Sequence, residues 1–291
     1  MAHVVSLIAA PGALEPSHVR AVRDAFGGGD ADWLAGGEAA EFAVPAPPGR
    51  LGHVAAEMRM LGIDVNCLPA AGRRKRLLLA DMDSTMIGQE CIDELADLAG
   101  VGAEVAAITD RAMAGEIGFE GALEARVALL EGLPEDAVER VIAERLTLTP
   151  GGAALVATMR AQGARCVLVS GGFTAFTGWV AAALGFDAHR ANVLEASGGR
   201  LTGRARRPYL GREAKVAALE EECAALGLGA ADVLAVGDGA NDAGMVARAG
   251  LGVALHARAA LFEVADARVD HGDLTALLWL QGYRAGEVVR G

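Results

Sequence analysis

The run Leu77-Leu78-Leu79-Ala80 constrains this chain more than any other stretch, because it stops abruptly at Asp81-Met82-Asp83-Ser84-Thr85. Four apolar residues between an arginine and two carboxylates read as a strand buried on both faces, the kind found inside a parallel sheet. Open α/β sheets place ligands at the carboxyl ends of such strands. In a turning backbone, two acids this close can hold a hard cation while one of them attacks or shuttles a proton. For a bare D-x-D the competing reading is an acidic turn that caps a helix, so partners further along the chain must decide.

Three such partners follow. Residues 165–169 read as a strand ending in Ser170-Gly171-Gly172-Phe173, and residues 232–236 as another ending in Gly237-Asp238-Gly239-Ala240-Asn241-Asp242. Lys215 lies near the start of a predicted helix that runs to residue 226. Helical stretches over 153–162 and 175–184, a hairpin around Gly198-Gly199, a helix to residue 249, a strand over 251–255 and a last helix over 273–280 complete the pattern. Repeated β-α units imply a doubly wound parallel sheet of Rossmann type. Between residues 86 and 149 no strand is predicted. Ile92, Leu95 and Leu98 form one helical stripe, Val101, Val105 and Ile108 a second, Leu123, Val127 and Leu130 a third, and Val138, Val141, Ile142 and Leu146 a fourth. A helical insertion directly after the first strand end, at about residues 88–147, reads as a cap that excludes water and carries specificity contacts.

If the sheet is parallel, the three strand ends converge, and together they hold a nucleophile, an acid/base, a metal cradle and donors for phosphate oxygens. Alone, Ser-Gly-Gly is an ordinary turn and Lys215 a surface lysine; the series raises both. In order and wording, Asp81-Met82-Asp83-Ser84-Thr85, Ser170-Gly171-Gly172-Phe173, Lys215 and Gly237-Asp238-Gly239-Ala240-Asn241-Asp242 resemble the haloacid-dehalogenase-like phosphatases, and among them the branch that acts on phosphoserine. The resemblance covers roughly residues 75–283. It implies hydrolysis of O-phospho-L-serine to L-serine and phosphate through an aspartyl-phosphate intermediate, as the last step of serine biosynthesis. It makes Asp81 the nucleophile and Asp83 the acid and base, and it implies Mg2+ held by Asp81, the backbone carbonyl of Asp83 and Asp238.

By the same resemblance Ser170, Gly171, Lys215 and Asn241 bind phosphate oxygens, while in the cap Glu90 takes the ammonium, Arg126 the carboxylate, and Phe119 closes over the site. Met113 is a further pocket candidate. Asp242 either supports the metal site or caps a helix. Two other readings are a phosphotransferase that passes the group to another hydroxyl acceptor, and a catalytically silent amino-acid-binding regulatory protein. Intact Asp81, Asp83, Lys215 and Asp238 count against the second.

Ahead of this lies a smaller unit. Residues 4–9 read as a strand, 16–26 as a helix with Val19, Val22 and Phe26 on one stripe, and Trp33 and residues 42–44 as two strands joined at Gly36-Gly37. A helix over 51–61 and a strand over 63–68 complete a β-α-β-β-α-β order, which is ferredoxin-like. It resembles the ACT-type regulatory domains. Pro69-Ala70-Ala71-Gly72 reads as a boundary, dividing the chain into an α+β unit over 1–72 and a catalytic domain over 73–291. The basic run Arg73-Arg74-Lys75-Arg76 reads as a solvated linker end, and Arg204, Arg206 and Arg207 as a solvated hairpin flank.

Composition sets the outer limits. With 53% hydrophobic and 22% charged residues the chain is globular. A net charge of -12 argues against a broad nucleic-acid surface. No stretch reaches the roughly 18 apolar residues of a membrane span. The first ten residues lack a basic n-region and stop at Pro11-Gly12, so they read as a strand sooner than a secretory signal. Cys67, Cys91, Cys166 and Cys223 lack metal or redox spacing and suit a reduced, cytoplasmic protein. The six histidines form no metal-spaced pair, and His189, His256 and His271 read as structural. The expected partner is a small phosphorylated amino acid, with a homodimer and an amino-acid effector at the N-terminal unit as further candidates.

Overall fold

A computed structural model describes residues 2–290. The N-terminal part runs β1 (His3–Ala9), α1 (Pro16–Phe26), β2 (Asp32–Ala35), β3 (Ala39–Val44), α2 (Leu51–Arg59) and β4 (Ile63–Pro69). Its strands form one antiparallel sheet in the order β2-β3-β1-β4. Val5 and Leu7 of β1 pack with Val19, Val22 and Val54 of the two helices. This is the ferredoxin-like arrangement that the sequence pattern implies.

The chain then enters β5 (Leu77–Ala80) and, after the Asp81–Glu90 segment, the helices α3 (Cys91–Ala99), α4 (Gly102–Met113), α5 (Phe119–Ala128) and α6 (Ala137–Glu144). It returns through α7 (Gly152–Ala161), β6 (Arg165–Phe173), α8 (Thr174–Leu184), β7 (Ala188–Asn192), a hairpin of β8 (Leu194–Ser197) and β9 (Arg200–Ala205), and α9 (Arg212–Leu226). It finishes with β10 (Val233–Gly237), α10 (Ala243–Arg248), β11 (Leu251–Leu255), α11 (Ala259–Phe262), β12 (Ala267–Val269) and α12 (Ala276–Leu280).

The six-stranded sheet is parallel throughout, in the order β12-β11-β10-β5-β6-β7. Successive strand residues point to opposite faces. Leu78 and Ala80 accordingly join the large core with the cap, α7, α8 and α12, whereas Leu77 and Leu79 join the core under α9 and α10. All four residues of β5 are completely buried, as their apolar run requires. From β5 the chain builds outward through β6 and β7, then crosses back to add β10 on the other side. That reversal puts the topological switch, where such sheets bind ligands, at the ends of β5, β6 and β10.

Two expectations need correction. The linker basics are not a solvated end. Lys75 is buried and donates to the carbonyls of Gly72 (2.7 Å) and Ala231 (2.8 Å). Arg73 forks onto Glu41 at 2.7 and 2.8 Å, and Arg74 pairs with Glu287 at 2.8 Å while stacking over Tyr283. Nor is the arginine cluster simply a solvated flank. Arg207, though exposed, pairs with Glu120 and Glu124 of cap helix α5 and lies over Tyr209, whose hydroxyl donates to Glu124 at 2.9 Å.

No helix is long and apolar enough to cross a membrane among the described residues. Cys91, Cys166 and Cys223 are buried and all four thiols are free.

Candidate active site

Asp81 is the first residue past β5, and its backbone amide still donates to the Val236 carbonyl of the neighbouring strand at 3.0 Å. The residue is 3% exposed. Oδ1 accepts the Met82 amide (2.8 Å) and the Lys215 ammonium (2.7 Å), and Oδ2 accepts Asn241 Nδ2 (3.3 Å). The chain then turns sharply. The Met82 carbonyl accepts the amides of Thr85, Met86 and Ile87, and Ser84 sits at φ +53°, in the left-handed region that a side chain rarely enters.

That turn sends Asp83 a different way from Asp81. Asp83 Oδ1 accepts the Cys91 amide at the start of α3 (3.0 Å), and Oδ2 accepts the Ser170 hydroxyl (3.2 Å). Burial, then the charges of Glu90 and Asp81, push its carboxyl up to about 7. The Cys91 thiol is itself driven far upward by burial and is inert. Gly172 lies so close that a Cβ there would stand 2.8 Å from Asp83 Oδ2 and 3.0 Å from Ser170 Oγ. Glycine at that position is what lets the β6 end approach the carboxylate.

Asp238, past the end of β10, completes the floor. Burial and the Asp81 charge raise its carboxyl to about 6, and its one hydrogen bond is a long contact from Thr85 at 3.4 Å. Asp81, Asp238 and Asp242 each bring a carboxylate oxygen within 4.8 Å of the others. Asp242 is already engaged. Its Oδ1 accepts Lys215 at 2.6 Å, and its Oδ2 accepts the amides of Asp238 and Gly239 at 3.2 Å each.

Burial and Asp81 push Asp242 upward and Lys215 opposes them, while the two carboxylates hold Lys215 above its ordinary value against the pull of burial. The hydrogen bonds decide where the proton sits: every contact of Asp242 is a donor to it, so an acid proton there would face no acceptor, and Lys215 carries the charge. Asp81 and Asp238 remain as the pair able to grip a hard divalent cation, and their oxygen-only donor set suits one. The Asp83 carboxylate is not in this cluster.

The floor opens into a cavity of about 800 Å³ lined by Asp81, Asp83, Ser170, Gly171, Asp238 and Asn241 below and by Glu90, Met113, Phe119 and Arg126 from the cap. Glu90 faces this space at the N-terminus of α3, accepts the Ser84 hydroxyl at 2.7 Å, and is shifted upward by burial. Arg126 projects from α5 with Nε on the Ala122 carbonyl at 3.3 Å. Burial lowers its basicity while Asp93, Glu90 and Asp83 act to restore it. Phe119 is 40% exposed and packs over Gly171 and Gly211. The fold thus gathers the predicted site residues around one cavity, except that Lys215 lies buried behind the lining, held between Asp81 and Asp242.

It also adds some. Arg258 lines the cavity, donates its backbone amide to the Asp238 carbonyl (2.9 Å) and reaches Met113 Sδ at 3.2 Å. Arg212, at the start of α9, lines it as well. Ser84 was visible beside Asp83, but its contact with Glu90 depends on a turn that sequence spacing does not reveal.

The family model for haloacid dehalogenase-like hydrolases matches residues 78–247. A phosphoserine phosphatase of Albidiferax ferrireducens is 47% identical over 211 residues, covering 70% of this chain and 89% of that protein. One from Archaeoglobus fulgidus is 45% identical over 223 residues, covering 76% of this chain; this chain spans only 64% of that relative's length. Among solved structures, a probable phosphoserine phosphatase from Vibrio cholerae superposes with a TM-score of 0.80 at 32% identity, covering 97% of this chain and 86% of that one. With its parallel sheet, its strand-end carboxylates and these matches, the chain belongs to the haloacid dehalogenase-like hydrolase family.

Proposed function

We propose that this protein is a magnesium-dependent phosphatase that hydrolyses O-phospho-L-serine to L-serine and phosphate, the last step of serine biosynthesis, in the cytoplasm. The observation that carries the reading is the pairing of two environments in one cavity. A floor of Asp81, Ser170 and Asn241, with Lys215 held behind Asp81, faces a cap wall with one carboxylate, Glu90, and one guanidinium, Arg126. A phosphorylated amino acid carries the complementary ammonium and carboxylate. The names of the relatives point to the same substrate.

Asp81 attacks phosphorus through a carboxylate oxygen. The bond from phosphorus to the serine oxygen breaks, and Asp83 gives its proton to the departing alkoxide. In the second half Asp83 takes a proton from water as the water oxygen attacks phosphorus, which frees phosphate and restores Asp81. An acid that also serves as base works best with a pKa near the working pH, and Asp83 at about 7 meets that condition. Lys215, Ser170, the Gly171 amide and Asn241 hold phosphate oxygens. Asp81, the Asp83 carbonyl and Asp238 would hold magnesium, which when bound supplies positive charge between an anionic nucleophile and an anionic substrate. Phe119, Met113 and the cap helices exclude water.

We read residues 1–72 as a small α+β unit and 73–291 as the catalytic domain with its cap at about 88–147. A homodimer and an amino-acid effector at the N-terminal unit belong to the same proposal. The deciding experiment is a screen of small phosphomonoesters with magnesium, with EDTA, and with an added acceptor alcohol. Phosphoserine is expected to be preferred, with turnover abolished by EDTA, restored by magnesium, and free phosphate as product. Phosphate transferred to the alcohol instead would make it a phosphotransferase, and release from no ester would overturn the reading.

A further inference from the structure

The β6 ladder breaks where the site begins. Val169 pairs with Arg190 of β7, and pairing resumes only at Phe173 opposite Asn192, so Ser170-Gly171-Gly172 fall in an irregular stretch between them. A break of this kind takes ladder partners away from the groups inside it, and such breaks favour active sites. Here the Asn192 side chain, 2% exposed, replaces them. Its Nδ2 donates to the Gly171 carbonyl at 2.8 Å and to the Leu210 carbonyl at 3.2 Å, and its Oδ1 accepts the Leu210 amide at 2.7 Å. Both amide hydrogens are used, so the side chain is locked in one orientation.

The Leu210 end leads directly to the other half of the phosphate floor. Gly211 follows; its carbonyl accepts the Lys215 amide at 3.3 Å, and Phe119 packs so tightly against it that a Cβ would stand 2.9 Å from the ring. One buried amide therefore ties the segment that carries Ser170 and Gly171 to the segment that leads into Lys215 and supports Phe119.

We propose that Asn192 is a positioning residue for the phosphoryl group: it fixes the Gly171 peptide and the approach to Lys215 relative to one another, so that both address the same phosphate. It makes no contact with substrate itself. The inference rests on the phosphatase reading and assigns a role to a residue that lies outside the motifs. Misaligning the cradle weakens contacts that phosphate makes before and during reaction alike, which raises KM and leaves kcat largely intact.

The test uses the magnesium-loaded protein with Asn192→Ala and Asn192→Asp, the second keeping shape and the Leu210 acceptor while turning an oxygen toward two carbonyls. KM for phosphoserine and the inhibition constant of inorganic phosphate are expected to rise together, by about tenfold or more, with kcat within about threefold. The loss is expected to be equal on a phosphate ester that has no amino-acid group. A purely structural role would instead lower the active fraction, so that kcat falls while KM and phosphate inhibition stay put; that result overturns the proposal. Should both variants fold poorly, hydrogen exchange on the wild type decides. Saturating inorganic phosphate is expected to slow exchange at the Leu210 amide, and unchanged exchange there overturns the proposal. A wild type that turns over no ester sinks the phosphatase reading, whereas normal wild-type turnover with unshifted variant constants sinks only the role of Asn192.

Discussion

Asp81 and Asp83 are the same chemical group two positions apart, and their surroundings separate them. Asp81 is met by an ammonium, an amide side chain and a backbone N–H. Asp83 has a helix-start amide and a hydroxyl, and faces the like charges of Glu90 and Asp81. Burial first, and then those two charges, hold the Asp83 proton up to about 7, against about 3.9 for a free carboxyl. Between those values the folded state binds more protons than the unfolded one, so this group lowers stability as pH climbs from 4 to 7, and the cost is complete above 7. Metal-free Asp83→Asn is expected to be more stable than wild type at pH 8 by about 1–3 kcal/mol, a discounted figure because the site opens to solvent, with the gain vanishing toward pH 4. Urea melts in EDTA at several pH values measure it, and a gain that grows toward acid pH contradicts the assignment. For Arg126→Ala the expected loss in kcat/KM is about 10- to 100-fold on phosphoserine, the worth of a charged hydrogen bond, and under about threefold on an ester without a carboxylate. Equal losses on both would remove Arg126 from substrate choice.

At the scale of elements, what was legible depended on burial. The strand β5 could be read because every residue of it is interior, and α1 because Val19 and Val22 repeat on one face. The parallel strand β7 escaped notice, since Ala188-His189-Arg190-Ala191-Asn192 is an edge strand with little buried surface and no apolar run, and β12 spans only three residues. Without that strand, Asn192 reads only as the start of the hairpin stretch over 192–202. The motif residues were legible because the proposed phosphoryl site needs particular side chains at strand ends, whereas the hairpin's attachment to the cap includes backbone pairs that no side chain marks. Gly132 donates to the Leu201 carbonyl at 2.9 Å, Leu201 to Leu133 at 2.9 Å, and Glu135 to Gly199 at 3.0 Å. Gly203 sits at φ +73°, where a Cβ would stand 2.9 Å from Glu131 Cβ and 3.3 Å from the Ala128 carbonyl of α5. Gly203→Ala is thus expected to cost about 1–3 kcal/mol and to expose the hairpin to protease, while Arg207→Ala, which removes exposed ion pairs and the stacking over Tyr209, shifts the melting midpoint far less. The opposite ranking would mean that the ion pairs, not the backbone, fasten the hairpin.

Across the whole molecule the two sheets meet edge to edge, and side chains do the joining. On β4, Asn66 donates to the Arg268 carbonyl (2.9 Å) and accepts the Arg268 amide (2.8 Å), presenting to the β12 edge the donor and acceptor that a further strand would bring. Two residues earlier, buried Asp64 accepts the amides of Asp270, His271 and Gly272 at 3.0, 2.9 and 3.1 Å. Arg73 on Glu41, and Trp279 Nε1 on Glu38 at 2.8 Å, extend the seam. Charge and flanking residues say nothing about the partners the fold supplies to the linker basics: Glu41 of β3 for Arg73, Glu287 for Arg74, and the carbonyls of Gly72 and Ala231 for Lys75. Since Asp64 satisfies three backbone donors at once, Asp64→Ala leaves all three without a protein acceptor, and a loss of about 3–5 kcal/mol is expected. The residues lining the cavity all come from beyond the seam, so at temperatures where the variant stays folded, its kcat on phosphoserine is expected within about threefold of wild type. Unfolding should also change from one transition to two, with the N-terminal sheet released first. A single transition shifted by less than about 0.5 kcal/mol would show that packing, rather than this carboxylate, holds the halves together; a collapse of kcat in well-folded protein would show that the N-terminal sheet helps to shape the site.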